Sequence, residues 1–367
     1  MVKDSRDPTV PQRLHVVVVQ VMGDEHRAGA AEGREGLQDR PIATADGADG
    51  VDAGVLARRG QRRLTQHRIR AEEVANRLGA EVAESADLAL GSGIDDVVVA
   101  ASTDGHAELV IAAAETGVPV SCEKPIAPDI GTSAALLRRP RGVGRPIQVG
   151  YQRRFDAGFQ AARAPVGSGE LGWLHTVRST TLDPAPSAPK YVAASGGLFR
   201  DCAVQDSDAI RWVTGREVVQ AYGSGANPGE AFFADAGDMD ACAAVLTIDD
   251  GTLALVANSR HNLRGYDVPP ELHASRESVA VGLEDKLPLR SVQPGGTLAA
   301  GEPHPAFMER FRPAYQVELA AFTDVIPAPR PSPCTLEGEW VAEAWTLSCR
   351  EHGTVQVAEA RALGEPA

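Results

Sequence analysis

A lysine, an Asp–Gln pair four residues apart and a tyrosine are the side chains whose type and setting can carry a reaction here. Lys124 stands in Ser121-Cys122-Glu123-Lys124-Pro125, just past an apolar run that ends near Cys122. A lone lysine is ordinarily a solvated surface charge. Here Pro125 stiffens the turn and Glu123 offers a neighbouring counter-charge, which favours a held, functional lysine over a solvated one. Asp201 and Gln205 lie four residues apart, a spacing that would put them on one face if the segment is helical, with Asp208 three residues further on. A carboxylate takes a proton near neutral pH only where desolvation lifts its pKa from ~4. Glutamine donates and accepts hydrogen bonds but takes no proton. Tyr266, in Arg264-Gly265-Tyr266-Asp267, offers a phenol as a relay, although a tyrosine there is equally well read as a sheet-surface aromatic.

These groups are far apart in the chain and need a scaffold that gathers them. Residues 14–19 form a short apolar, β-branched run, the pattern of a strand buried on both faces. Residues 71–78 read as a helix closed by Gly79, residues 95–101 as a second buried strand and 118–122 as a third. Between those last two, residues 106–116 carry apolar positions at helical spacing and stop at Gly117, where a C-cap glycine belongs. Asp104 fits the N-cap of that helix. Alternation at this rhythm predicts βαβ units on a parallel sheet.

From about residue 146 the pattern changes. Residues 148–151 read as a strand, 157–164 as a helix and 175–181 as an extended segment that runs into the Pro-rich loop Asp183-Pro184-Ala185-Pro186. A helix over 206–213 ends at Gly215, strands follow at 242–248, 252–259, 271–274 and 278–282, and helices at 313–325 and 336–349. The turn Asp249-Asp250-Gly251 predicts a hairpin. The expected fold is α/β: an N-terminal Rossmann-type parallel sheet over residues 1–146, then a C-terminal α+β domain over 147–355 with a mixed, largely antiparallel open sheet. Residues 356–367 read as a tail, and Trp212 and Phe199 as core.

The 367 residues suit two or three domains, and 43% hydrophobic with 23% charged residues is the profile of a soluble globular chain. The net charge of -14 argues against nucleic acid or an anionic membrane as partner. Residues 1–75 hold twelve Lys/Arg and twelve Asp/Glu, so the whole surplus lies beyond them, and residues 23–63 are Gly- and Arg-rich with little pattern. Five scattered cysteines without a CxxC pair give neither a disulfide framework nor a metal site, which points to a reducing cytoplasm. The N-terminus lacks an apolar signal region, and no apolar run approaches the ~20 residues of a membrane span.

Three segments, in order, resemble the Gfo/Idh/MocA family of nicotinamide-dependent sugar and polyol dehydrogenases. They are Glu123-Lys124-Pro125, then Val149-Gly150-Tyr151-Gln152-Arg153-Arg154-Phe155-Asp156, then Gly196-Gly197-Leu198-Phe199-Arg200-Asp201 continuing through Gln205-Asp206-Ser207-Asp208. The likeness is greatest to inositol 2-dehydrogenases and runs from about residue 13 to about residue 355. It implies an NAD-dependent oxidoreductase moving hydride to or from a secondary alcohol of a cyclitol or sugar, in a homodimer or homotetramer built on the open sheet. A catalytically impaired homologue that binds a sugar or a partner subunit is the rival reading.

The resemblance assigns the residues as follows. Lys124 would hydrogen-bond the reacting oxygen, with Asp201, Gln205 and Tyr266 beside it. Arg153, Asp183, Asp201, Gln205, Asp208 and Tyr266 would face the substrate. Met22, Gly23, Asp46, Ser102, Thr103, His106, Glu123 and Lys124 would face NAD, and Asp46 favours NAD over NADP because a carboxylate repels a 2′-phosphate. The sequence departs from the family at two places. Val18 and Gln20 align with the first two glycines of the dinucleotide loop, where close backbone approach to pyrophosphate is needed. Gln205 stands where polyol dehydrogenases have a histidine base, which leaves Lys124, Tyr266 or Asp201 itself to move the proton. Thr181 and Asp183 replace a His and an Asn of inositol dehydrogenases.

Overall fold

The computed structural model describes residues 16–20, 54–57, 62–65, 75–77, 80–83, 85–138, 146–262, 265–284, 287–291, 304–326, 332–335 and 337–363. In the first domain, β1 (Val16–Gln20) precedes a small sheet of β2 (Gly54–Ala57), β3 (Arg62–Thr65) and β4 (Glu81–Val82). Then come α1 (Ala86–Leu90), β5 (Asp96–Ala100), α2 (Thr103–Glu115), β6 (Val120–Glu123), α3 (Ile130–Arg138) and β7 (Ile147–Gly150). Strands β1, β5, β6 and β7 lie side by side in that order, all parallel, as the strand–helix alternation predicts. Parallel strands are covered on both faces, and Val97, Val99, Val120 and Cys122 are accordingly buried with Val110 of α2. Gly117, with φ +74°, follows α2 as expected. The helix opens earlier than the spacing predicts: Ser102 is the N-cap residue, and Asp104 lies in the first turn, where it accepts from the Ser102 hydroxyl.

The domain boundary needs a correction. β7 pairs with β6 and is the edge strand of the parallel sheet, so the first domain runs to about residue 150 rather than 146. The second domain holds α4 (Ala157–Gly167), β8 (Leu174–Leu182), α5 (Pro189–Ala194), α6 (Val204–Thr214), β9 (Val218–Ala226), α7 (Ala231–Asp235), β10 (Ala241–Ile248) and β11 (Leu253–Ser259). It continues with β12 (Glu271–Ala274), β13 (Ser278–Glu284), β14 (Leu287–Ser291), α8 (Phe307–Val325), α9 (Glu337–Glu351), β15 (Val355–Gln356) and α10 (Val357–Leu363). Its eight-stranded sheet runs β14-β13-β12-β8-β11-β10-β9-β15, antiparallel except for the β8–β11 pair. The expected tail is therefore partly built in: β15 pairs with β9, and Val357 and Ala360 are buried.

Alternating burial along β9, β10 and β11 gives this sheet one inward and one outward face. Inward, Leu246, Ile248, Ala254 and Val256 share a core with Phe199, Ile210 and Trp345. Outward, Tyr222, Val245 and Leu255 remain exposed. Helix α8 turns back to the first domain, where Phe322 and Val325 bury against Val98. Asp156 starts the second domain's first helix, accepting from the N–H groups of Gly158 and Phe159 and pairing with Arg310 at 2.6 Å.

Candidate active site

Lys124 follows directly on β6, at the carboxyl ends of the parallel strands, where open α/β sheets bind ligands. Its loop is fixed at Pro125, whose carbonyl lies 2.7 Å from His106 Nδ1, while His106 Nε2 lies 2.7 Å from the Ala101 carbonyl. Burial draws the His106 pKa below its ordinary value, against the two carbonyls that favour the charged ring. His106 is thus a buried brace between the ends of β5 and β6. The loop faces a π-helical turn, Phe199–Ala203, which leads into α6 and carries Asp201. Wide turns of this kind often occur at functional sites.

Asp201 is 3% exposed and receives donors from three elements. Lys124 Nζ is 3.3 Å from Oδ1 and also donates to the Asp201 backbone carbonyl. The Tyr191 hydroxyl donates to Oδ1 at 2.7 Å, and Arg260 Nη2 donates to Oδ2 at 2.6 Å. Arg260 Nη1 reaches on to Asp183 Oδ2 at 3.0 Å, so Lys124, Asp201, Arg260 and Asp183 form one chain of alternating charge. Burial pushes the Asp201 pKa up, but Lys124 and Arg260 outweigh it and hold the carboxyl well below the usual range. That corrects one expectation: Asp201 is a fixed anion and too weak a base to take a proton near neutral pH.

Gln205, 4% exposed, donates to Gln152 Oε1 at 2.6 Å and to the Gly150 carbonyl at 3.4 Å, while its own Oε1 has no hydrogen-bond partner among the described residues. Gly150 is the register partner of Glu123 across β6 and β7. A Cβ there would come 2.8 Å from Glu123 Oε2 and 3.1 Å from Glu123 Cα.

The other polar candidates are committed elsewhere. Arg153 and Asp206 form a buried pair at 2.8 Å, and Asp206 also accepts from Ser179, Thr181 and Asn258. Tyr266 is 6% exposed, edge-on to Phe307 and Phe311 and beside Arg153, so it is a core aromatic and not a sheet-surface one. Both oxygens of Asp208 are taken by Arg154, at 2.7 and 2.5 Å. The structure therefore gathers Lys124, Asp201 and Asp183, sets Gln205 against Gln152, and puts Arg153 with Tyr266 and Asp208 with Arg154 in separate buried groups. Phe199 is core as expected, and Trp212 is partly buried beneath the Arg163 guanidinium.

On the cofactor side, Val18 and Gln20 belong to β1 itself, opposite Val98 and Ala100. Neither occupies the turn after the strand, contrary to the glycine alignment. Met22, Gly23 and Asp46 lie outside the described residues. Ser102 and Thr103 open α2 directly beyond β5, and Glu123 and Lys124 close β6.

Comparison with known proteins settles the ancestry. Residues 64–151 match the model of an oxidoreductase family with an NAD-binding Rossmann fold, and residues 159–280 match the GFO/IDH/MocA C-terminal domain. A myo-inositol dehydrogenase of Streptomyces leeuwenhoekii is 37% identical over 257 residues, covering 69% of this chain and 76% of its own length. The chain belongs to the GFO/IDH/MocA oxidoreductase family. An inositol 2-dehydrogenase of Rhizobium meliloti is 33% identical over 70% of this chain and 77% of its own. A myo-inositol dehydrogenase structure from Corynebacterium glutamicum aligns with TM-score 0.72 and 30% identity over 83% of this chain and 90% of that one. A scyllo-inositol dehydrogenase from Lactobacillus casei, crystallised with NAD(H) and scyllo-inositol, gives TM-score 0.70 and 27% identity over 80% and 90%.

The described residues fit the family's dinucleotide. The carboxyl ends of β1 and β5 lie side by side, with the N-terminus of α2 directly beyond β5 and the Lys124 ammonium at the end of β6. Two residues of the site escaped sequence reasoning. Arg260 follows β11 on the side where β8 delivers Asp183, and only strand pairing reveals it. Tyr191 stands just beyond the Pro-rich loop, in the short helix α5, where the sequence shows no element.

Proposed function

We propose that the protein is an NAD-dependent dehydrogenase that moves hydride to or from a secondary alcohol carbon of a cyclitol or related sugar. The carrying observation is that Lys124, from the first domain, meets Asp201 of the second, with Arg260 and Tyr191 fixing the carboxylate. Bound NAD supplies the hydride acceptor in oxidation and the donor in reduction. Ser102, Thr103, Glu123 and Lys124 would hold its nicotinamide side, and Met22, Gly23 and Asp46 its phosphates and ribose.

The Lys124 ammonium donates to the reacting oxygen and stabilises the charge that grows there, and the fixed Asp201 anion keeps the ammonium in place. In oxidation the hydroxyl proton must also leave. Gln205 cannot take it and Asp201 is too weak a base. Lys124 is the candidate the site offers, since Tyr266 lies in a separate core group beside Arg153 and burial pushes its pKa up. Gln205, through its unpartnered Oε1, accepts from a substrate hydroxyl, and Asp183 adds a second acceptor. Arg153 and Asp208 support the site from behind, since their charges are paired with Asp206 and Arg154.

A second reading has its own support. The family models begin at residue 64, and the histidine base is absent. A homologue that keeps the fold and a sugar site but has lost turnover fits both facts. Titrating the protein with NADH while following nicotinamide fluorescence separates the two. Saturable binding, followed by NAD reduction with an inositol, supports the dehydrogenase; no binding at millimolar NADH removes it.

The subunit pairs through the outward face of the large sheet. Tyr222, Val245 and Leu255 are cross-strand neighbours there, all exposed, and apolar faces of this kind mark association surfaces. A cytoplasmic site of action suits the five unpaired thiols. Among the described residues, no helix is long and apolar enough to cross a membrane.

A further inference from the structure

The peptide unit joining Pro125 to Ile126 begins one residue after Lys124, and ionisable side chains from the two domains face both of its polar atoms. His106 of α2 lies 2.7 Å from the carbonyl oxygen, as described. On the other side, Glu339 in the first turn of α9 accepts from the Ile126 N–H through Oε1 at 3.3 Å. The same oxygen accepts from the Tyr151 hydroxyl at 2.9 Å. Ile126, Tyr151, His106 and Glu339 are all buried, so water does not compete for these bonds.

We propose that Glu339 is a positioning residue for Lys124, its carboxylate acting through the Ile126 amide to fix the loop that presents the ammonium to substrate. The inference rests on the dehydrogenase reading for what Lys124 does, but the clamp itself is a property of the chain alone. Its logic is electrostatic. An ionised carboxylate is a stronger acceptor than a neutral carboxyl, so loss of charge at Glu339 weakens the hold on both Ile126 and Tyr151. The groups around Glu339 set where that loss falls. Burial pushes its pKa up, against the Tyr151 and Ile126 bonds and the attraction of Lys124, with Asp208 pushing up again, and the result is about 7. Cys122 on β6 is buried beside it and held as a neutral thiol, with Glu339 adding to that upward push. Arg154 is bound to Asp208, and Arg200 is bound to Glu343 one turn further along α9, so neither cation is free to neutralise Glu339. The clamp tightens as pH rises through neutrality.

Carbon-13 NMR of side-chain-labelled glutamate, on the full chain without cofactor or substrate, tests the clamp directly. One carboxyl should titrate near neutrality, vanish in Glu339→Gln, and share its midpoint with a pH-dependent shift of the Ile126 amide. In Tyr151→Phe, which removes one bond favouring the anion, that midpoint should rise. A Glu339 carboxyl titrating in the ordinary carboxylate range, or an Ile126 amide indifferent to pH, overturns the proposal. In turnover with NAD and an inositol, Glu339→Ala should lower kcat on the order of tenfold to a hundredfold with KM nearly unchanged. Glu339→Gln should remove the break in kcat near neutral pH. Equal kcat in wild type and Glu339→Ala would contradict it. A wild type that reduces no NAD refutes the dehydrogenase reading, whereas the NMR titration still decides the clamp.

Discussion

Replacing Asp201 by asparagine changes one heavy atom and removes a charge that Lys124 and Arg260 share. In the native protein Arg260 Nη2 donates to Oδ2 at 2.6 Å, with both side chains 4% exposed, and Lys124 approaches Oδ1 at 3.3 Å with its side chain 22% exposed. The asparagine retains an acceptor for Tyr191 and Lys124. Its amide nitrogen then faces Arg260, donor against donor, and two cations are left with Asp183. Breaking a buried pair by removing one partner costs roughly 3–5 kcal/mol. The lower figure applies, since the partly exposed Lys124 recovers some solvation and Arg260 keeps Asp183. For domains of this size ~3 kcal/mol corresponds to a fall in Tm of roughly 6–12 °C, read by calorimetry at pH 7. The pH dependence has a defined sign. Asp201 is held below its ordinary pKa in the folded state, so its stabilisation is full above the unfolded value of ~3.9 and is lost as pH falls through the depressed one. The Tm gap between wild type and Asp201→Asn should thus be constant from pH 5 to 8, on the order of the estimate above, and should close only in strong acid. A variant within about a degree of wild type at pH 7 would refute the claim that Asp201 is the hub of this network.

Other outcomes follow from the same contacts. Gln205→His should raise the rate of inositol oxidation on the order of a hundredfold, in steady-state assays, if the absent base limits turnover; an unchanged rate leaves the proton with Lys124. Gly150→Ala places a Cβ 2.8 Å from Glu123 Oε2 and 3.1 Å from Glu123 Cα, and should cost roughly 1–3 kcal/mol in denaturant unfolding. Because the Glu339 pKa is raised to about 7, its contribution to stability is full below the unfolded value of ~4.3 and is lost as pH rises to neutrality. Glu339→Gln should flatten that decline in Tm, and parallel profiles would contradict it. Tyr222→Glu with Val245→Glu should reduce the mass seen by light scattering to that of one chain, with the fold intact by circular dichroism.

The strands and helices that carry the site are legible because each answers to a local rule. Asp96–Ala100 is a buried β-branched run, Val120–Glu123 is buried along its first three residues, and α2 and α6 end at glycines with positive φ. What the sequence does not display is pairing at a distance. Nothing near Arg260 or Tyr191 in the chain marks them as partners of Asp201, since β8 and β11 meet only in the folded sheet. The same holds for Arg153 and Asp208, whose charges look available to substrate in sequence but are spent on Asp206 and Arg154. The i, i+4 argument for Asp201 and Gln205 assumes a regular helix. The π-helical turn at Phe199–Ala203 alters that spacing and gives the two residues different partners. The boundary near residue 146 came from a change in pattern, whereas β7 joins the first sheet by hydrogen bonds that no pattern shows.

The central claim is that Lys124 serves hydride exchange between NAD and a cyclitol. It is tested most directly by nicotinamide absorbance when wild type and Lys124→Ala are each mixed with NAD and myo-inositol or scyllo-inositol. NAD reduction by wild type and none by Lys124→Ala, with NADH binding retained in both, is the expected result. Equal reduction by the two proteins would contradict the role given to Lys124, and no reduction by wild type with any cyclitol or hexose would contradict the function itself.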